Sequence, residues 1–171
     1  MSDGRLPERI DPHRLAEGKR ILQGSLELNT MPRLGVYLTG SGGKVQVEME
    51  FGRDEEGIPF VRGHLESEVE IACQRCMGSF RLPLQSRFLL GVVSEEKEAD
   101  RLPEHYDPLV AGHEPVVLKD LVEDELILSL PIVPRHPEGE CPAPPVERDE
   151  PESKRENPFS VLAHLKTNSN S

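Results

Sequence analysis

The sequence predicts an α+β fold that is predominantly β. An antiparallel sheet, open or partly closed into a barrel, is accompanied by one main helix, a Pro-rich acidic tail and a short C-terminal helix. Three observations predict this. Residues 44–51, 61–73 and 80–92 alternate apolar and polar side chains with period two, and short turn-forming stretches separate them. Residues 118–130 space their apolar side chains at helical intervals. Beyond residue 133 large apolar side chains become scarce, and residues 134–156 hold six prolines and seven acids, a composition that cannot form a core by itself.

Taken in order, residues 1–19 are polar, with Pro7 and Pro12, and read as an extended lead-in followed by a short helical turn. Residues 21–28 form a strand with sparse apolar positions, and residues 34–38 a second short strand. Ser41-Gly42-Gly43 is a turn. In residues 44–51, Val45, Val47, Met49 and Phe51 point one way and Lys44, Gln46, Glu48 and Glu50 the other, which is a strand with one wet face. A charged turn over residues 52–59 leads to the next strand, where Val61, Leu65, Val69, Ile71 and Cys73 share one parity. In the third long strand Phe80, Leu82, Leu84, Phe88, Leu90 and Val92 do the same. Pro83 lacks an N–H, so that end belongs at a sheet edge or a bulge. Residues 94–101 are a solvated loop or an exposed turn.

The principal helix follows at residues 118–130, with Leu118, Leu121, Val122 and Leu126 as its apolar stripe and Asp120, Glu123 and Asp124 on the wet side. Pro131 ends it, although residues 126–130 also fit a strand. The domain organisation is therefore a single antiparallel β domain over residues 1–133, a Pro/acid-rich tail over 134–157, and a short helix with a polar end over 158–171.

Charge narrows the function. Across 171 residues, 20 Lys and Arg face 31 Asp and Glu, a net charge of −11 that disfavours generic binding to nucleic acid or an anionic membrane and favours a basic partner. Hydrophobic residues are 36% and aromatics 4%, enough for a modest core but not for one that includes the whole chain. No apolar run approaches the ~18 residues of a spanning helix, and residues 1–19 lack the apolar centre of a signal peptide. The expected location is the cytoplasm, where thiols stay reduced.

The chemistry-bearing residues are few. Cys73-Gln-Arg-Cys76 falls at the tip of the hairpin between two long strands, and Gly78 just after it suits a tight turn that aims backbone N–H groups at the sulfurs. His136 and Cys141 form a second pair, H-x4-C, inside the tail. Together these four residues make a Cys3His set suited to zinc, which takes thiolate and imidazole without redox chemistry. The site would be closed and structural, a staple pinning the tail to the hairpin tip. Three unrelated thiols, or a redox CxxC, are the alternatives.

Asp120, Glu123, Asp124 and Glu125 would serve as a docking face for a basic protein, or be an ordinary solvated helix face. Asn157-Pro158-Phe159, with Val161, Leu162 and Leu165, is an amphipathic piece that would dock on its own sheet or be presented to a partner. Arg75, between the two cysteines, could meet a phosphate. The remaining histidines are scattered without ligand spacing, and no nucleophile–base pair is recognisable, so no enzyme and no small-molecule substrate are expected.

Several strings together resemble the bacterial YceD family, the large ribosomal RNA subunit accumulation proteins. They are Leu6-Pro7 with Ile10-Asp11-Pro12; Cys73-Gln74-Arg75-Cys76; Leu102-Pro103-Glu104 with Tyr106-Asp107-Pro108; Val122-Glu123-Asp124-Glu125-Leu126; Val133-Pro134, His136 and Cys141; and Asn157-Pro158-Phe159 with Val161-Leu162-Ala163. The resemblance covers nearly the whole chain. It implies a part in the synthesis, processing or stability of 23S rRNA, a gene often beside one for a small basic large-subunit protein, and no known catalytic residue. Zinc comes from the spacing, not from the resemblance. Charge and resemblance combine in one expectation: an acidic, non-catalytic biogenesis factor acts on rRNA indirectly, by holding a basic ribosomal protein or large-subunit assembly factor. The alternative is a zinc-knuckle protein that contacts RNA directly around Arg75, with Arg81 and Arg87 nearby.

Overall fold

The structure, a computed structural model, describes residues 5–112 and 114–142. Asn157, Pro158 and Phe159, and the helix expected over 158–171, lie outside the described residues.

Asp11 caps the first helix, α1 (Pro12–Glu17), by accepting a hydrogen bond from the Arg14 backbone N–H at 3.0 Å, with Pro12 in the first turn where its missing N–H costs nothing. Just before it, β1 (Arg9–Ile10) pairs antiparallel with β7 (Val116–Val117), a two-stranded ribbon that fastens the chain start to the entry of the main helix.

The main sheet has five strands in the order β2 (Ile21–Glu27), β3 (Lys44–Arg53), β4 (Pro59–Ala72), β5 (Ser79–Val93) and β6 (Asp107–Val110). The first three pairings are antiparallel, and β6 runs parallel to β5. The sheet is open, so of the two expected forms the barrel is not the one observed. Period-two alternation translates directly into burial along β3, where Val45, Val47, Met49 and Phe51 are all at most 3% exposed. Pro83 lies opposite Glu68 in the part of β5 that has β4 on one side only, since β6 joins at Leu90. That is the edge position its missing N–H requires.

One face of the sheet is covered. Helix α1 packs on β3 and β4, and α3 (Leu118–Ser129) packs on β5. Leu118, Leu121, Val122 and Leu126 are the buried stripe of α3, and they share one core with Val47, Leu65 and Leu90. The helix persists to Ser129, so residues 126–129 are not strand. Leu130 is extended, the conformation the following Pro131 imposes.

Two local expectations are corrected. Residues 34–38 form no strand: Pro32 opens a short helix, α2 (Pro32–Gly35), and only an isolated bridge, Leu38 to Ile71, is β-like. The alternating Leu34, Val36 and Leu38 mimic a strand, but Gly35 N–H bonds back to Met31 O, and Leu34 ends up fully buried. Glu123 is not on the wet side of α3; it is 1% exposed. Of the two forms expected after β5, the exposed turn is the one observed: a 3-10 turn, Glu96–Arg101, capped reciprocally by Glu95 and Glu98.

Candidate metal centre

The hairpin between β4 and β5 ends in residues 73–78. Cys73 N–H donates to Gly78 O at 2.9 Å, and Met77 N–H donates to Cys73 O at 2.9 Å, which closes the turn. The residue that takes the left-handed conformation is Met77, at φ 61°, and not Gly78. A Cβ on Gly78 would sit 3.5 Å from Cys76 Sγ, an ordinary contact, so Gly78 is not the residue the turn depends on. Past α3, the chain returns to this tip. Pro134 is buried, and its carbonyl accepts the Gln74 N–H at 2.8 Å.

Four donor atoms converge there, from Cys73, Cys76, His136 and Cys141, all within 4.8 Å of one another. Cys73 Sγ stands 3.8 Å from Cys141 Sγ, and Cys76 Sγ stands 3.5 Å from His136 Nδ1. Zn–S bonds of about 2.3 Å and a Zn–N bond of about 2.0–2.1 Å, arranged tetrahedrally, put sulfurs ~3.8 Å apart and sulfur and nitrogen ~3.6 Å apart. These two edges fit that tetrahedron. No disulfide joins the cysteines.

The electrostatics of the site suit a cation. Burial alone raises the Cys73 thiol, but backbone N–H groups of Cys76, His136 and Arg75, with the His136 side chain, bring it down to about 5. Burial and the neighbouring sulfurs Cys76 and Cys73 push Cys141 up to about 11. One sulfur is thus held as thiolate, and the crowding that opposes a second negative charge is what a divalent cation would relieve. The Phe80 ring lies 4.8 Å from the His136 ring, centroid to centroid, and fixes the imidazole. In the sequence Phe80 reads only as one of the apolar positions of its strand; its place four residues after Cys76, at the start of β5, is the sequence signal that sets it beside the donors.

The other predicted site residues are dispersed. Arg75 is exposed at the tip. Glu123 Oε1 accepts the backbone N–H groups of Arg33 at 2.6 Å and Leu34 at 2.9 Å, and its Oε2 accepts Arg33 Nε–H at 3.1 Å. Asp124 accepts Arg33 Nη1–H at 2.5 Å. Asp120 is exposed on the outer side of α3. Glu125 is half-buried, and burial with the nearby Asp107 and Asp124 charges pushes its carboxyl up to about 6. The four acids are therefore not one face: Glu123 is an internal lock between α2 and α3, Asp120 and Asp124 are exposed, and Glu125 is half-buried.

The family model described as "Large ribosomal RNA subunit accumulation protein YceD" matches residues 61–166, a span that contains all four donors of the cluster. The chain belongs to the YceD family. It is 32% identical over 172 residues to the Large ribosomal RNA subunit accumulation protein YceD of Haemophilus influenzae, an alignment covering 97% of this chain and 99% of that protein. No solved structure matches this YceD chain significantly. Among its described residues no helix is long and apolar enough to cross a membrane.

Proposed function

We propose that this YceD chain supports accumulation of the large-subunit ribosomal RNA as a non-catalytic factor, by holding a basic ribosomal protein or large-subunit assembly factor. The observation that carries the reading is the net charge of −11 in a chain of this family. A surface so negative repels bare phosphate and attracts Lys/Arg-rich polypeptide, speeding encounter and shielding the partner from premature contact with RNA. The exposed Asp120 and Asp124 on α3, with the half-buried Glu125 beside them, are the docking residues of this reading, and Asn157, Pro158 and Phe159 contribute a second contact. Glu123 acts on that face through Arg33 rather than by touching a partner.

Zinc at Cys73, Cys76, His136 and Cys141 belongs to the same proposal as a structural ion. The Cys73–Cys141 and Cys76–His136 distances support it, and four protein ligands leave no open position for a substrate. The ion would hold residues 134–141 against the hairpin tip.

The test is capture. Immobilised full-length protein is incubated with the dissociated components of large ribosomal subunits, with and without nuclease. The expected result is retention of a basic protein that survives nuclease and is released by salt. Retention of rRNA alone would overturn the proposal. Direct RNA contact at the hairpin tip is the second reading, supported by the exposure of Arg75 and Met77. It is the weaker one. Arg81 is already paired with Glu68 at 3.4 Å, and Arg87 lies eight positions along β5 from Ser79, about 27 Å away at ~3.4 Å per residue.

A further inference from the structure

Eight large apolar side chains are exposed among the described residues, and three of them come together in one place. Ile132 is 100% exposed, Val36 80% and Tyr37 54%. All three line one open groove of about 500 Å³, which also takes in Ile127, Leu130 and Pro134. Its walls are the exit of α2, the far end of β4 and the segment that leaves α3 for the Cys3His cluster. A water-facing patch of this kind disfavours the free state and marks a surface built to be covered.

The charge beside the groove says what covers it. On α3, Asp120, Asp124 and Ile127 follow one another at i, i+4 and i+7, so they form a single ridge, acidic toward the helix start and apolar where it enters the groove. The two ends of that ridge are ~10 Å apart at 1.5 Å per residue. Asp124 shares its charge with Arg33, whereas the exposed Asp120 carboxylate has no ion-pair partner among the described residues. An occupant complementary to the whole ridge carries Lys or Arg at one end and an aliphatic or aromatic anchor about two helical turns away.

We infer that the groove between Val36, Tyr37, Ile127 and Ile132 is the docking site for an amphipathic, Lys/Arg-rich segment of the protein partner, whose basic end lies over Asp120 and Asp124. The inference rests on the basic-partner reading and adds to it the apolar anchor that gives such a complex its lifetime; charge alone sets encounter rate more than residence.

The test uses the full chain and, as probe, nuclease-treated total protein extracted from purified large ribosomal subunits. A photo-crosslinking amino acid replaces Ile132, and Ile132→Glu, Val36→Glu and Asp120→Lys are compared with the unaltered chain. These positions are exposed, and thermal unfolding of each variant checks that the fold is kept. The expected crosslink is to a Lys/Arg-rich large-subunit protein, through a peptide with an apolar residue near its basic run. Ile132→Glu and Val36→Glu should each weaken capture about tenfold, as loss of one buried anchor does. If Asp120→Lys abolishes capture while both groove variants bind normally, the basic-partner reading stands and the groove inference fails. If the unaltered chain captures no basic protein, the reading fails and takes the inference with it. A crosslink to a second copy, within the same chain or to RNA also overturns the inference.

Discussion

Glu123→Ala is the substitution that best separates a structural acid from a docking one. The Glu123 side chain is 2% exposed and supplies the acceptor for two backbone N–H groups at α2, those of Arg33 and Leu34. Leu34 is 0% exposed, so its N–H would be left without a partner, at about 2 kcal/mol. The Arg33 N–H is only part-buried, and water reaching it limits its share to about 1 kcal/mol. Arg33 itself is half exposed and stays solvated, so no buried charge is orphaned and the larger penalty of a broken interior ion pair does not apply. The expected loss is about 3 kcal/mol, a fall in Tm of roughly 10 °C for a domain of this size. Glu123→Gln keeps the Oε1 acceptor and should cost only about 1 kcal/mol. Urea unfolding of the two variants beside the parent provides the measurement. A loss below about 1 kcal/mol for the alanine variant, or equal losses for both, would refute the lock between α2 and α3. So would a glutamine variant of full stability that no longer held a basic protein, because Glu123 would then be part of the docking surface.

Three further outcomes are expected. Cys141→Ser should abolish retention of one zinc per chain by native mass spectrometry, and should speed amide exchange at Gln74, whose acceptor is Pro134 O, while leaving the β-sheet circular dichroism intact; a parent protein that holds no zinc even after titration removes the site. Glu125 has a folded pKa of about 6, above its ordinary 4.5, so its ionisation is the destabilising event: there is no penalty below about 4.5, and the penalty is complete above about 6. Glu125→Gln should therefore stabilise the protein by about 1 kcal/mol near pH 8, discounted for half exposure, and the gain should shrink toward about pH 5; a pH-independent effect would contradict the stated cause. Finally, a Cβ on Gly63 would lie 1.9 Å from Cζ of Phe88, its cross-strand neighbour, whose ring covers the glycine. Gly63→Ala should cost about 2 kcal/mol by displacing the ring, and an unchanged Tm would show that the ring does not rest there.

The part of this molecule legible in the sequence is the part governed by local chemistry. Period-two alternation names the buried side of β3, β4 and β5 because a pleated strand sends successive side chains to opposite faces whatever it pairs with. The edge position of Pro83 follows from its own missing N–H. The four donor residues are recognisable because thiol and imidazole are metal ligands by type, and each pair is compact in the chain. The misread elements are those whose outcome depends on a distant partner. Leu34, Val36 and Leu38 alternate like a strand, yet Pro32 starts a helical turn there, and a carboxylate about ninety positions away satisfies its N–H groups. Glu123 looks solvated on its own helix; only the arrival of Arg33 and Leu34 makes burying it affordable. The parallel addition of β6 to β5 likewise leaves no local trace. Distance between residues far apart in the chain is a property of packing, and packing is cooperative. The sheet and α3 together bring Cys141 within 3.8 Å of Cys73, and the same assembly leaves Val36, Tyr37 and Ile132 facing one groove. The kinds of chemistry available here were settled by composition and spacing, whereas which groups meet was decided by the folded chain, since no residue's own preferences specify a neighbour sixty or ninety positions away.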